Sequence, residues 1–293
     1  MPAPVRPVGQ GRLAIIAGYG RLPHDVALAA RRAGEDPFIA ALKGERDRDW
    51  DDFDHVEVGT GDVAGLNRAF RENGIERVIL SGGVRRRPEW REIRPTFRHL
   101  MRVPSILKTL LGKGDDAVLR MVIGILETSG YKVIGAQEVV PDLLAEPGAL
   151  TRKQPDDTDW QDIRAGRAAA LELGRLDIGQ AVVSVGGRVV ALEGLEGTDQ
   201  MLERVARLRE EGRLSRRRRG VLVKFCKPQQ DERADLPSIG LWTIENAAKA
   251  GLAGIAVEVG RALVLDRGEL IARADSLGMF VVGIGREDCE VSR

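Results

Sequence analysis

The chain has 293 residues, of which 43% are hydrophobic and 30% are charged, and its 45 Lys and Arg nearly balance its 44 Asp and Glu. This composition excludes a disordered chain, and the near-zero net charge argues against a general nucleic-acid binder, which needs a basic excess. With only two cysteines, Cys226 and Cys289, no disulfide framework is expected, and a reducing, cytoplasmic compartment is predicted. We find no apolar signal segment and no run of about twenty uncharged apolar residues, so any membrane role is expected to be peripheral.

The first half of the chain alternates short β-type runs with helical segments. The apolar run at residues 13–17 ends in the turn "GYGRLP", where Pro23 begins an amphipathic segment. The runs "PFIAAL", "HVEV" and "ERVILSGG" follow, with helices predicted at residues 63–72 and from Asp115 onward. A basic, helix-prone segment spans residues 88–112, and "YKVIGA" returns to strand. This alternation predicts a parallel sheet covered by helices, a Rossmann-like domain over residues 1–145.

Prolines interrupt the pattern in "VVPDLLAEPGALTRKQP", where the domain boundary is predicted, and a different arrangement follows. A helix is predicted at residues 159–173, then a hairpin whose turn is Gly186-Gly187. Next come a helix capped by Thr198, the strand "GVLVKF", and further helices and strands up to "MFVVGI". Residues 146–293 are therefore expected to form a mixed α/β catalytic domain, with the active site between the two domains.

Two glycine-rich turns follow strands of the first domain. In "AGYGRLP", Gly18 and Gly20 match the start of a dinucleotide fingerprint, but a proline stands where the third glycine belongs, so a standard NAD site is not expected. Backbone N–H groups there suit a phosphate or a sugar hydroxyl, and a purely structural turn fits equally. "SGGVRRR" brings Gly82, Gly83 and Arg85 to the carboxyl edge of the sheet, where open α/β folds bind ligands; a solvated basic loop is the alternative.

The strand "VLVKF" leads into a loop that carries Lys224, Lys227, Gln230, Asp231 and Asp235. Lysines neutralise phosphate charge, while carboxylates hold a divalent cation or orient a water, so the set is typical of phosphoryl transfer. A plain surface turn is the competing interpretation.

The segment "LEGLEGTDQM" places Glu193, Glu196 and Asp199 around a broken turn. Their hard oxygens suit Mg²⁺ or Mn²⁺, although acids near a helix start are also ordinary capping. The run of arginines at residues 216–219 is interpreted as a solvated loop, with attraction to anionic lipid as its functional alternative.

Several enzyme classes lack their motifs. The three histidines, His24, His55 and His99, are scattered, which argues against the di-metal site of calcineurin-like phosphoesterases. No G-x-S-x-G elbow and no Walker A loop occurs, so a serine hydrolase and a P-loop NTPase also lack support.

Nine segments in order resemble one family, the UDP-2,3-diacylglucosamine pyrophosphatases of lipid A biosynthesis that are unrelated to calcineurin-like phosphoesterases. The resemblance covers nearly the whole chain. The segments are "IIAGYGRLP", "ALKGE", "SGGVRR", "DDAVLR", "DIGQAVV", "EGTDQM", "VLVKFCKPQQDERADLPSIG", "GLAGIAVEVGRALVLDR" and "LGMFVVGI".

The resemblance implies hydrolysis of UDP-2,3-diacylglucosamine to 2,3-diacylglucosamine 1-phosphate (lipid X) and UMP in lipopolysaccharide synthesis. It also implies a cytoplasmic homodimer peripheral to the inner membrane, with Mg²⁺ or Mn²⁺ as cofactor and no nucleic-acid partner. Attack is expected at the phosphorus attached to the sugar. Acyl chains would need an apolar crevice, for which residues 93–126 or the second domain are candidates, and Arg98 and Arg102 could face the membrane or simply water.

The family's functional acid falls on Asp235, as a metal ligand or as a base, with Asp231 and Lys224 as its catalytic neighbours and Asp199 as a second metal ligand. Two alternatives are a transferase acting on another nucleotide sugar and a non-catalytic lipid-sugar binding protein. The substrate-binding residues are expected to be Gly18, Gly20, Gly82, Gly83, Arg85, Gln180, Thr198, Lys227 and Gln230.

Overall fold

The computed structural model describes residues 11–45, 49–85, 115–215, 217–233 and 236–286. The chain divides into two compact units. The first comprises Met1–Pro141 together with Asp231–Asp235, and the second comprises Asp142–Gln230 and Leu236–Arg293. The sequence-based boundary between residues 145 and 146 stays a prediction.

The first unit contains a five-stranded, fully parallel sheet in the order β3-β2-β1-β4-β5. Strands β2 and β3 are added on one side of β1, and β4 and β5 on the other, as in Rossmann-like folds. Its strands are β1 (Arg12–Ala17), β2 (Phe38–Leu42), β3 (His55–Val58), β4 (Ile75–Ser81) and β5 (Lys132–Val133). Its described helices are α1 (Leu22–Arg32), α2 (Val63–Glu72), α3 (Asp115–Thr128) and α4 (Ala136–Val139).

Strand β1 lies at the centre of this sheet, and every one of its residues is buried. A parallel strand covered on both faces needs a continuous apolar run, and "LAIIA" supplies it. At the opposite end of the sheet from the glycine turns, the buried Arg77 of β4 binds Glu35 through two hydrogen bonds of 2.8 Å. Arg77 also donates to the carbonyl of Gly11, so it fastens the start of β1 to the loop after α1.

The second unit contains a six-stranded mixed sheet in the order β6-β13-β11-β9-β7-β8. Strands β9, β11 and β13 run parallel to one another in its centre, β6 and β7 run antiparallel to them, and the edge strand β8 pairs antiparallel with β7. The strands are β6 (Gly148–Ala149), β7 (Ala181–Val185), β8 (Arg188–Leu192), β9 (Val221–Lys224), β11 (Gly254–Glu258) and β13 (Phe280–Ile284). A separate parallel pair is formed by β10 (Ser238–Ile239) and β12 (Leu263–Val264).

Helices cover both faces of the six-stranded sheet. Helix α5 (Asp157–Arg175) packs on β7 and β9 and buries Ile163 and Leu173 against Val223. The other apolar cluster contains residues of α6 (Gly197–Glu210), α7 (Leu241–Lys249) and α8 (Arg267–Ser276). The unit is therefore a helix–sheet–helix sandwich with two cores.

These elements confirm the predicted fold class, a Rossmann-like parallel domain followed by a mixed α/β domain. The hairpin turn is also as expected, since Gly186 and Gly187 have φ of +66° and +74°. No described helix is long and apolar enough to cross a membrane. The predicted roles of Asp235, Arg98 and Arg102 and of the basic segment 88–112 fall outside the described residues.

Candidate active site

The two glycine turns of the first unit are joined to each other by backbone hydrogen bonds. Gly18 N–H donates to the Ser81 carbonyl at 2.8 Å, and Tyr19 and Gly83 exchange bonds of 2.8 and 3.0 Å. The turns follow β1 and β4, the neighbouring parallel strands between which the strand order switches from one side of the sheet to the other. Ligands of open α/β sheets bind at such a point. Gly18, Gly82 and Gly83 therefore lie together, whereas the sequence had indicated only that each turn follows a strand.

The close approach of these turns excludes side chains. A Cβ on Gly18 would lie 2.1 Å from the Gly83 carbonyl oxygen, which real Cβ atoms do not tolerate. Gly82 and Gly20 have φ of +84° and +99°, a region that glycine enters without strain. The turn thus needs glycine for steric reasons at one position and for conformational reasons at two others.

Arg85 is exposed beside this turn. Its guanidinium carbon lies 4.7 Å from the centre of the Tyr19 ring, and its backbone N–H donates to Oε1 of the buried Glu45 at 2.9 Å. The backbone bond fixes where the "SGGVR" turn ends, while the guanidinium stays at the surface. A cation so placed can bind an anionic group that approaches the carboxyl edge of the sheet.

Asp231 belongs to the first unit and is held by Arg233. Its two carboxylate oxygens accept bonds from Nε and Nη2 of Arg233 at 2.9 and 2.8 Å. These bonds hold the pKa of the Asp231 carboxyl below its ordinary value of 3.8. Arg233 also pairs with Glu127 of α3 at 2.7 Å, and Gln137 of α4 donates to the Glu232 carbonyl. Asp231 is therefore an ionised, oriented carboxylate.

In the second unit, the other predicted residues gather along one edge of the six-stranded sheet. Lys224 ends β9, directly across from Ala181 of β7, and the Gln180 carbonyl accepts the Phe225 N–H at 3.0 Å. Glu193 follows β8 and donates its N–H to the Ala181 carbonyl at 2.9 Å. Register alone thus brings the Lys224, Gln180 and Glu193 backbones to the same edge.

Glu193 organises two of the predicted substrate-binding residues. Its Oε2 accepts the Gln180 N–H at 2.9 Å and its Oε1 accepts the Thr198 hydroxyl proton at 2.5 Å. The prediction that Thr198 caps helix α6 is wrong, because the helix begins at Gly197 and has no side-chain cap. The hydroxyl instead turns toward a buried carboxylate.

The lysines of this edge both have partners. Lys224, which is 6% exposed, donates from Nζ to the Ser238 carbonyl at 2.9 Å. Lys227 Nζ lies 2.7 Å from Oδ1 of Asp177, a residue whose φ of +55° turns its chain sharply after α5. Gln230 Oε1 accepts the Lys227 N–H at 3.1 Å and closes the turn between them. An ammonium group has three donors, so these bonds still leave room for a phosphate oxygen at Lys224.

The acids proposed as metal ligands are bound to separate partners. Glu196 pairs with Arg204 at 3.1 Å, and Oδ1 of the exposed Asp199 accepts from Asn246 at 3.1 Å. Within the described ranges, no group of three or more His, Cys, Asp or Glu side chains could hold a metal ion. The described donors alone therefore do not fit a metal centre, and the predicted ligand Asp235 is outside them.

Two residues of this edge were missed from sequence. Glu258 ends β11 and is 2% exposed, and Arg286 follows β13 and donates to Glu258 Oε1 at 2.6 Å. The available signal was an acid that closes the apolar run "GIAVE", since an acid at the carboxyl end of a buried strand needs a partner.

Comparison with known proteins accounts for both units. A family model described as the LpxI N-terminal domain matches residues 12–143, and one described as the LpxI C-terminal domain matches residues 146–282. The chain is 42% identical over 279 residues to the UDP-2,3-diacylglucosamine pyrophosphatase LpxI of Caulobacter vibrioides, which covers 94% of this chain and 99% of that relative. The resemblance inferred from the nine segments is confirmed, and the chain belongs to the LpxI family.

Proposed function

We propose that the protein hydrolyses the pyrophosphate of UDP-2,3-diacylglucosamine to 2,3-diacylglucosamine 1-phosphate (lipid X) and UMP, a step of lipid A biosynthesis. The observation that carries this proposal is the 42% identity to a curated UDP-2,3-diacylglucosamine pyrophosphatase, which extends over 99% of that relative. The glycine turns with Arg85 and the sheet edge with Lys224 add groups suited to a phosphate-rich substrate.

Water attacks the phosphorus attached to the sugar in this proposal. A P–O bond forms from water, the bond to the bridging oxygen breaks, and UMP leaves with that oxygen while the water proton passes to solvent. Negative charge develops on the phosphoryl oxygens, and cations fixed in advance stabilise it. Lys224 is fixed by the Ser238 carbonyl and Lys227 by Asp177, so both can serve without reorganising.

The polar residues around Glu193 suit the rest of the substrate. Because the Thr198 proton is donated to Glu193, the Thr198 oxygen presents lone pairs that accept from a sugar hydroxyl or a ring N–H. Gln180 has its backbone N–H bound by the same carboxylate, and its side-chain Oε1 makes no hydrogen bond to another described residue. Together they offer acceptors to a ligand.

The proposal includes Asp235 as the functional acid and a divalent cation, Mg²⁺ or Mn²⁺, that would be held by Asp235 and Asp199. When bound, such an ion would neutralise phosphate charge and lower the pKa of a water. The described carboxylates do not form a ligand group by themselves, so such an ion would depend on Asp235.

The proposal also includes action as a homodimer in the cytoplasm, at the surface of the inner membrane. A diacylated substrate resides in a bilayer, so the enzyme must bind there to reach it. Co-sedimentation with vesicles and sedimentation velocity of the purified protein would test these two properties.

The central test incubates the purified protein with UDP-2,3-diacylglucosamine in H₂¹⁸O and identifies the products by mass spectrometry. We expect UMP without label and the lipid 1-phosphate with one ¹⁸O. Label in UMP instead would place attack on the other phosphorus.

An Asp235→Asn variant tests the role of the acid. It should bind the substrate but lose at least about 10³-fold in kcat, since one acid group of the reacting centre is gone.

The products of the unchanged protein separate the proposal from its two alternatives. A transferase would transfer the sugar phosphate or nucleotide to an acceptor other than water. A binding protein would release no UMP even from the unchanged chain, and either result would overturn the proposed reaction.

A further inference from the structure

Both main-chain polar groups of Cys226 are bound by two side chains that also bind each other. The Cys226 N–H donates to Glu258 Oε2 at 2.9 Å, and its carbonyl accepts from Arg286 Nη2 at 2.9 Å. Arg286 closes the ring by donating to both oxygens of Glu258, at 2.6 and 3.2 Å. The three residues therefore form one closed polar unit, which we call the Cys226 clamp.

The clamp is built from three adjacent parallel strands. Cys226 lies two residues after the end of β9, Glu258 is the last residue of β11, and Arg286 lies two residues after the end of β13. Glu258 and Cys226 are 2% and 1% exposed. A carboxylate so deeply buried is tolerated only with cationic and N–H partners; here the N–H belongs to the loop that leaves β9, and the cation, Arg286, follows β13.

The loop after the clamp carries residues assigned to the reaction. Gln230 Oε1 accepts the Lys227 N–H at 3.1 Å and lies 3.3 Å from Cys226 Sγ. Four residues beyond Cys226, this turn ends, and the chain continues to Asp231 and Asp235. An error in the direction of the Cys226 peptide groups would therefore displace Lys227 and Gln230, the residues of this turn that are assigned to the substrate.

We infer that Glu258 and Arg286 are positioning residues, which fix the direction in which the loop at residues 226–230 leaves the sheet. The inference rests on the proposed function, because it assigns them a part in that hydrolysis. Neither side chain needs to touch the substrate. Each acts through the Cys226 peptide, and a displacement of about 1 Å at reacting groups can cost on the order of 10²-fold in rate.

Glu258→Gln and Arg286→Gln each break the clamp with little change in side-chain volume. We expect kcat to fall by about 10²-fold in either variant and KM to rise by less than about tenfold, because Lys227 and Gln230 move with the loop while the substrate-binding groups outside it are retained. Arg152→Gln is the control, since Arg152 pairs with Asp275 at 2.9 Å and its side chain is 84% exposed. It should keep kcat within about twofold.

A second readout does not depend on activity. In a Cys289→Ser background, Cys226 is the sole thiol, because the chain has two cysteines. Its labelling by a small disulfide reagent should accelerate by about tenfold or more in the two clamp variants and by less than about twofold in Arg152→Gln, because only the clamp variants release the loop. Circular dichroism melting verifies folding, and Arg286→Lys, which keeps the charge without the planar fork, replaces any variant that does not fold.

The outcomes separate the clamp from the proposed reaction. Unchanged thiol labelling in both clamp variants, or a kcat unaffected by them, would overturn the inference. A wild-type protein that releases no UMP would overturn the proposed function, and the labelling rates would still decide whether Glu258 and Arg286 hold the loop.

Discussion

The hydroxyl of Thr198 lies 2.5 Å from Oε1 of Glu193, whose other oxygen accepts the backbone N–H of Gln180. Glu193 is 8% exposed, so a single buried acid orients two residues that sequence alone had assigned to substrate binding. The sequence suggested a metal ligand at Glu193. Its neighbours instead indicate that it orients groups for a ligand.

Glu193→Ala should therefore weaken substrate binding more than it slows the chemical step. We expect KM for the lipid to rise by about tenfold and kcat to stay within about threefold, since a lost orienting hydrogen bond is worth on the order of 1 kcal/mol. Glu196→Ala, which removes a partly exposed partner of Arg204, is the control and should leave both constants nearly unchanged. Equal effects of the two substitutions on KM would contradict this role.

The contact between the two glycine turns predicts that Gly18 tolerates no side chain. Gly18→Ala places a methyl group 2.1 Å from a backbone oxygen, so the turns must separate, at a cost of about 1–3 kcal/mol in stability. A Cβ on Gly124 in helix α3 meets no described atom within 4 Å outside the helix's own backbone, so Gly124→Ala should be neutral or stabilise by roughly 0.5–1 kcal/mol. Urea unfolding of both variants tests the difference, and a stable Gly18→Ala protein would show that the turns can move apart freely.

The buried pair of Arg77 and Glu35 should contribute strongly when one partner is removed. Glu35→Ala leaves a guanidinium with a side chain 9% exposed without its carboxylate, and we expect a loss of about 3 kcal/mol. Glu172→Ala breaks a pair whose side chains are 64% and 65% exposed, and it should change stability by less than about 0.5 kcal/mol. Calorimetry of the two variants measures both losses of stability. Similar losses would contradict a dependence on burial.

The Asp231–Arg233 pair predicts a pH-dependent stability difference. Because the folded state lowers the pKa of Asp231 below 3.8, the pair stabilises fully above that value and loses its effect as pH falls through the lower folded value. The gap in melting temperature between wild type and Arg233→Gln should thus be constant from about pH 7 to pH 5 and shrink below about pH 4. A gap that persists undiminished at the lowest pH would show that the contact is not electrostatic.

Removal of divalent cations tests the cofactor expectation. We expect hydrolysis to stop in excess EDTA and to return with Mg²⁺ or Mn²⁺, because two adjacent phosphates demand charge neutralisation. Asp199→Asn should raise the Mg²⁺ concentration needed for half-maximal activity. Full activity in the chelator would remove the metal from the proposed mechanism.

Much of the fold followed from local pattern. "LAIIA" is a continuous apolar run and forms the buried central strand β1, and the predicted helix at residues 63–72 coincides with α2. The predicted helix at residues 159–173 is longer, Asp157–Arg175, because Asp156 accepts the N–H groups of Thr158 and Asp159 and so caps it earlier. Such elements can be predicted because they depend on residues that are close in sequence, within one or two helical turns.

The hydrogen-bond partners of the side chains were harder to predict from the sequence. Thr198 suits a helix cap by sequence, but a buried acid five residues earlier binds its hydroxyl. The clamp partners of Cys226 stand 32 and 60 residues away, on strands whose register no single-sequence pattern specifies. Polar contacts of this kind follow from tertiary placement, which is why the glycine turns were found and the Glu258–Arg286 pair was not.

The first unit takes residues Asp231–Asp235 from far along the chain, so its completion has a consequence for biosynthesis. While the ribosome is still producing the second unit, Glu127 has yet to receive Arg233 as its partner. A nascent chain released at Pro141 would carry the parallel sheet without the acid-bearing segment. The first half therefore gains this segment only after part of the second half has been synthesised, and an interrupted synthesis would leave it without the residues proposed to carry its chemistry.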